Sequence, residues 1–234
     1  MSDGRPWVAH RVCPTPQVPE TGSRSTRSSR RVIFPSLFRI AINATPFLLP
    51  LMFQVAFGMN AFQSGLMILA LFAGNFSMKS ISTAILRRFG FRNILVLNGL
   101  ISTLMVLVCG FLTPATPLTV IVVVLFLHGL SRSMQFTAVN TLSFVDIPKP
   151  LMSSATSFSA VAQQMSMGMG VAVAAVSLRV IEWFRGNNTG TPELMDFHIA
   201  FFVAAVFALI AGLDCLSLHP HAGAEVSGYR PNKA

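Results

Sequence analysis

Six long apolar segments separated by short gaps constrain this chain more than any other feature. They run roughly over 36–57, 62–84, 93–112, 117–143, 154–182 and 196–218. Each is long enough to cross about 30 Å of hydrocarbon as a helix. Backbone amides inside a bilayer have no water to bond, so helices are the economical solution for separate segments of this length. The gaps are Gly58 to Ala61, Leu86 to Arg92, Thr113 to Thr116, Asp146 to Ser153 and Phe184 to Met195. Connections this short predict one all-α membrane protein, a compact six-transmembrane-helix bundle over residues 35–218. A basic N-terminal tail over 1–34 is expected to be disordered, and residues 219–234 form a C-terminal tail.

The fourth segment departs from a greasy span. Phe126 to Ser143 reads FLHGLSRSMQFTAVNTLS and holds His128, Arg132, Gln135, Asn140 and Ser143. At about 100° per residue, His128, Arg132, Gln135 and Ser143 share a stripe roughly 80° wide, with Asn140 at its edge. An arginine near mid-membrane costs at least about 2.5 kcal/mol on insertion scales, so it faces protein or a water-filled path. This helix is therefore expected to be a wall of something.

The other segments show the same distinction. The first places Asn43, Pro50 and Gln54 on one stripe, and the second Ser64, Asn75, Lys79 and Ser82. The fifth places Thr156, Ser159, Gln163 and Ser166 together, with Gly170 in line. The third keeps Asn98, Ser102 and Thr103 near one end, and the sixth is apolar from Ile199 to Leu213. The order is wet, wet, dry, wet, wet, dry. Helix-to-helix bonding explains serine and threonine. It does not explain Lys79, Arg132 or the repeat. A three-plus-three repeat is what inverted-repeat transporters show.

Charge sets the orientation. Six arginines lie in the first 31 residues; the gap after segment two holds Arg87, Arg88 and Arg92, and the gap after segment four Lys149. The C-terminal tail adds Arg230 and Lys233. Basic residues stay on the cytoplasmic side, so both termini are expected there, with the sequon at Asn187 and Asn188 outside. Only 11% of residues are charged, yet the formal net charge is +9. The basic tail has no aromatic interleaving or reading module, so no nucleic-acid partner is expected. Cys13, Cys109 and Cys215 have neither disulfide nor zinc spacing, and Cys109 is expected on a lipid-facing helix. No nucleotide loop, catalytic triad or metal cluster stands out, so neither an enzyme nor a cofactor is expected.

Several stretches resemble a known family. SLFRIAINATPFLLPLMFQVAFGMNAFQSGL is similar to the seventh-helix region of major facilitator transporters, more closely the fourteen-spanner drug:proton antiporters of the EmrB/QacA group. ILRRFGFRNIL, GLSRSMQFTAVNTLSF and SATSFSAVAQQMSMGMGVAV extend the resemblance over about residues 36–218. It implies the C-terminal half of a major facilitator fold and export of small, often amphipathic compounds in exchange for protons across the plasma or inner membrane. The family's seventh, eighth, tenth and eleventh core helices line the cavity, matching the wet order above. Arg87, Arg88, Gly90 and Arg92 fall on its cytoplasmic loop motif, except that Arg87 replaces the acidic residue. A full antiporter has roughly twice this length, so a truncated or split protein is expected. Its partner would be an N-terminal half of six or eight helices, or a second copy.

The resulting candidates for the transport path are Arg132, Gln135, Asn140, Gln163, Asn75, Asn43 and Gln54. His128 and Lys79 are candidates for proton carriage or gating, weighed against a packed histidine and a lysine that snorkels to the membrane surface. The alternative to a transporter is a non-transporting fragment or accessory bundle that pairs with another membrane subunit.

Overall fold

The computed structural model describes residues 42–89, 91–144, 149–186 and 191–214. Both expected tails, Gly90, Asp146, Asn187 and Asn188 lie outside them. Every regular element among the described residues is helical. In order these are α1 (Ile42–Ala56), α2 (Ala61–Phe89), α3 (Phe91–Gly110), α4 (Leu118–Phe144), α5 (Met152–Phe184) and α6 (Leu194–Asp214). A 3₁₀ turn, Lys149–Leu151, leads into α5. Helices α2 to α5 contain stretches long and apolar enough to cross a membrane; α1 and α6 contribute shorter apolar ones.

Local chemistry explains the ends. The last turn of α1, Met52–Ala56, widens to a π-helix, and the Phe57 amide reaches back to the Met52 carbonyl at 3.1 Å. Gly58 then turns the chain at φ +66°, a conformation open to glycine because it has no Cβ. Asn60 caps α2 reciprocally: its Oδ1 accepts from the Gln63 amide at 2.8 Å, and Gln63 Oε1 accepts from the Asn60 amide at 3.2 Å. At the start of α6, Asp196 Oδ2 accepts the Glu193 amide at 2.8 Å.

The expected open loop from Leu86 to Arg92 is corrected. Helix α2 continues to Phe89 and α3 begins at Phe91, so Arg87 and Arg88 belong to the last turns of α2 and Arg92 to the first turn of α3. The cause is packing: Leu86, Ile94 and Leu95 are buried with Met134, Ala138 and Val139, which holds both ends helical.

Helix α2 packs most extensively on α4, α3 on α6 and α4, and α5 chiefly on α6. The α2–α4 crossing is close at a pair of glycines. A Cβ on Gly74 would strike the Phe126 carbonyl oxygen, and one on Gly129 the Leu71 carbonyl oxygen. Two apolar clusters form the core. The larger joins Leu48, Met52 and Phe53 of α1, Leu71 of α2, Cys109 of α3, Leu125 of α4, Leu178 of α5 and Phe201 of α6. The smaller is the one at the α2–α3 junction. Cys109, expected on a lipid-facing helix, turns its own side chain into the larger cluster.

Candidate functional site

Between the two apolar clusters, at mid-height of α4, lies a layer of polar side chains. Residues 128, 131 and 135 follow each other at helical spacing, and Ser131 and Gln135 meet α3 through Asn98. Asn98 Nδ2 donates to the Ser131 carbonyl at 2.8 Å and to Gln135 Oε1 at 2.9 Å. Ser131 Oγ donates to Asn98 Oδ1 at 3.2 Å, and Gln135 Nε2 to the Leu95 carbonyl at 3.3 Å. Gln135 is thus fully buried in the α3–α4 contact. The sequence singled it out as lining a path; the structure places it in the packing between helices. Its partner Asn98 was set aside with the dry third segment. The signal for it lay in the spacing of Leu95, Asn98 and Ser102, which puts one face of α3 opposite the α4 stripe.

His128 sits one turn from Ser131 and Arg132. It is fully buried, and neither ring nitrogen has a hydrogen-bond partner among the described residues. The hydroxyls of Ser102 and Thr45 are buried in the same condition. A buried polar group without a partner costs about 1–3 kcal/mol, so this layer is not simply oily packing.

Arg132 points the other way, toward α1. Its Nη2 donates to Asn43 Oδ1 at 3.2 Å. Two residues chosen independently from the sequence, 89 positions apart, are therefore brought together. Asn43 is buried and Arg132 half-buried. Asn75, half-buried on α2, lies at the α2–α4 crossing, its backbone amide next to Gly129. Gln54 is elsewhere: it is exposed near the end of α1, with Nε2 3.4 Å from Ser64 Oγ of α2. Asn140 is half-buried further along α4, Gln163 is half-buried on α5, and Lys79 is exposed on α2. The Ser143 side chain lies outside the described positions.

The expected gluing role of serine and threonine is also refined. Ser77, Thr103, Thr137, Thr141, Thr156 and Ser166 each donate to the carbonyl four residues earlier in their own helix. This bond satisfies the hydroxyl without crossing to a neighbour. The links that cross between α3 and α4 belong to Asn98, Ser131 and Gln135.

A separate ionic cluster closes the α5–α6 end. Arg185 Nη1 contacts Asp196 Oδ1 at 2.7 Å and its Nη2 Glu193 Oε2 at 3.4 Å, while Arg179 pairs with the buried Glu182 at 3.2 Å. The hydrogen bond to Asp196, followed by the nearby negative charge of Asp196 and Glu193, holds the Arg185 guanidinium above its ordinary pKa. A raised value means the charged form is kept at every pH below the ordinary one, so Arg185 does not loosen this end in the physiological range. No group of three or more histidine, cysteine, aspartate or glutamate side chains suited to a metal ion occurs among the described residues.

Comparison with known proteins places this geometry. The chain is 36% identical over 182 residues to MdtD of Serratia proteamaculans, named provisionally for multidrug resistance, covering 77% of this chain and 37% of that protein. It is 33% identical to MdtD of Escherichia coli over 74% of this chain and 37% of the relative. HsrA of Haemophilus influenzae, named provisionally as a transport protein, is 29% identical over 85% of this chain and 42% of its own length. The chain thus spans less than half the length of these relatives. The sequence profile of the Major Facilitator Superfamily matches residues 9–171, beginning well ahead of Ser36, where the resemblance was read to start. With that match over more than half its length, the chain is an integral membrane protein that belongs to the Major Facilitator Superfamily.

Proposed function

We propose that this chain is one half of a proton-coupled efflux transporter that exports small amphipathic compounds across the cytoplasmic membrane. The observation that carries the reading is the mid-height polar layer in which Arg132 of α4 meets Asn43 of α1. A half-buried arginine bonded to a neutral amide suits a solvated path better than a packed core. The names of the relatives, multidrug resistance and transport, point the same way. The half rocks against a second half around the central site, and the inward-open and outward-open states differ in affinity for substrate and proton. Arg132, Asn43, Asn75, Asn140 and Gln163 line the path, Gln54 stands toward one mouth, and His128 is the candidate proton or gating group. Lys79 and the loop-motif residues Arg87, Arg88, Gly90 and Arg92 mark the cytoplasmic end, where both termini also lie.

The direct test is flux in vesicles with an imposed proton gradient. The chain is co-expressed with a matching N-terminal half and offered amphipathic dyes of either charge. Gradient-driven flux is the expected result; none in well-folded material contradicts the reading.

A specific observation favours a second reading, an accessory bundle that pairs with another membrane subunit. Helices α2 and α5 leave large apolar side chains exposed, among them Phe62, Phe72 and Phe76, and Phe158, Met165 and Val176. Under that reading the chain co-purifies with its partner but adds no flux of its own.

A further inference from the structure

We propose that the ligand taken at this site is an anion: an amphipathic compound carrying a carboxylate or sulfonate, recognised by Arg132 and oriented through Asn43. The inference rests on the transport reading and specifies its substrate class.

Its foundation is the placement of charge. The sequence contains no aspartate or glutamate between Glu20 and Asp146, and none between Asp146 and Glu182. Helices α1 to α4, and α5 as far as Ile181, are therefore without a single carboxylate. Arg132 lies 12 residues from the end of α4, about 18 Å along the helix. The ion pairs among the described residues engage Arg179 and Arg185 at the far end of α5, not Arg132. The Arg132 guanidinium instead donates to the neutral Oδ1 of Asn43. Among the described residues, that leaves a cation at mid-height of α4 with an amide to fix its direction and no charge to balance it.

An unbalanced cation in a low-dielectric layer repels a second cation and attracts an anion. The planar guanidinium has five donors in a fork that fits a carboxylate or sulfonate bidentately. Asn43 occupies one nitrogen and leaves the others free to donate. Two sources of negative charge satisfy the same guanidinium: the ligand itself, or a carboxylate contributed by a second half. We commit to the ligand, and adding a second half separates the two.

The test uses the chain in neutral-lipid nanodiscs with two radiolabelled probes of matched tail, decanoate and decyltrimethylammonium, and empty nanodiscs subtracted. Saturable decanoate binding at least about tenfold tighter than that of the cation is expected. Arg132→Gln should bring the two within about threefold, and Arg132→Lys should keep part of the preference, since lysine retains the charge but not the fork. Asn43→Asp supplies a carboxylate to Arg132 and should abolish the preference while keeping the bundle folded. It decides the matter even if Arg132→Gln does not fold. Gly168→Ala, where an added Cβ meets nothing within 4 Å, serves as the neutral control. Equal affinity for the two probes, no saturable binding, or a preference that survives both Arg132→Gln and Asn43→Asp overturns the proposal. So does loss of the preference when a second half is added, which would assign Arg132 to an ion pair between halves. Flux without charge preference would remove the anion claim and leave transport standing; decanoate binding without flux would do the reverse.

Discussion

Asn98 does more for this bundle than its neighbours on α3 suggest. It takes part in three hydrogen bonds between α3 and α4, and a further one comes from its own partner Gln135. Replacing it by alanine leaves Gln135 Oε1 and the Ser131 carbonyl short of a donor in a buried layer. Asn98→Ala should cost about 0.6–2 kcal/mol, the range for hydrogen bonds between membrane helices. Gln135→Leu should cost less in an Asn98→Ala background than alone, because their bond is already lost. Unfolding of both single variants and the double variant in detergent checks this; strictly additive losses would contradict it. Arg132 was legible in the sequence because a charge at that depth is too costly to be accidental. Asn98 was not, because helical periodicity says which face a residue occupies but not which helix stands opposite.

The contact between α2 and α4 depends on two glycines that each admit the other helix's carbonyl. A methyl group on either must push the backbones apart, which overpacked cores show to cost about 1–3 kcal/mol. Gly74→Ala and Gly129→Ala should each lower thermal stability by that order, while Gly65→Ala and Gly168→Ala, facing open space, should not. Unchanged stability in both crossing variants would refute the close contact. At the start of α2, Asn60→Ala should cost about 0.5–2 kcal/mol through loss of the cap, read by the same measurement. The six helices were evident from apolar runs of spanning length, whereas the Asn60 cap and the Gly58 turn came only from the structure. The end of α2 was not evident either. Arg87, Arg88 and Arg92 mark a membrane surface equally well from a loop or from a helix, and only burial of Leu86 and Ile94 settled which.

The bundle has a polar layer between two apolar clusters and exposed apolar side chains on its outer faces, those of α2 and α5 among them. This matches the wet and dry alternation in part. The fourth helix carries the polar layer as expected, and the supposedly dry third helix supplies half of its hydrogen bonds. The proposed orientation rests on the basic residues alone. Cysteines introduced at Ala115 and Gly186 should label from outside, and those at Ser23 and Gly228 from inside; an outside signal from Ser23 would overturn the topology. The central claim is that the layer around Arg132 is a path and not a strut. It is tested by measuring membrane abundance and gradient-driven flux together for Arg132→Ala in an assembly with a matching second half. Removing a costly buried charge should leave abundance near the parent level while flux falls at least about tenfold, as expected for loss of a charged ligand contact. Low abundance with normal flux per inserted molecule would contradict it.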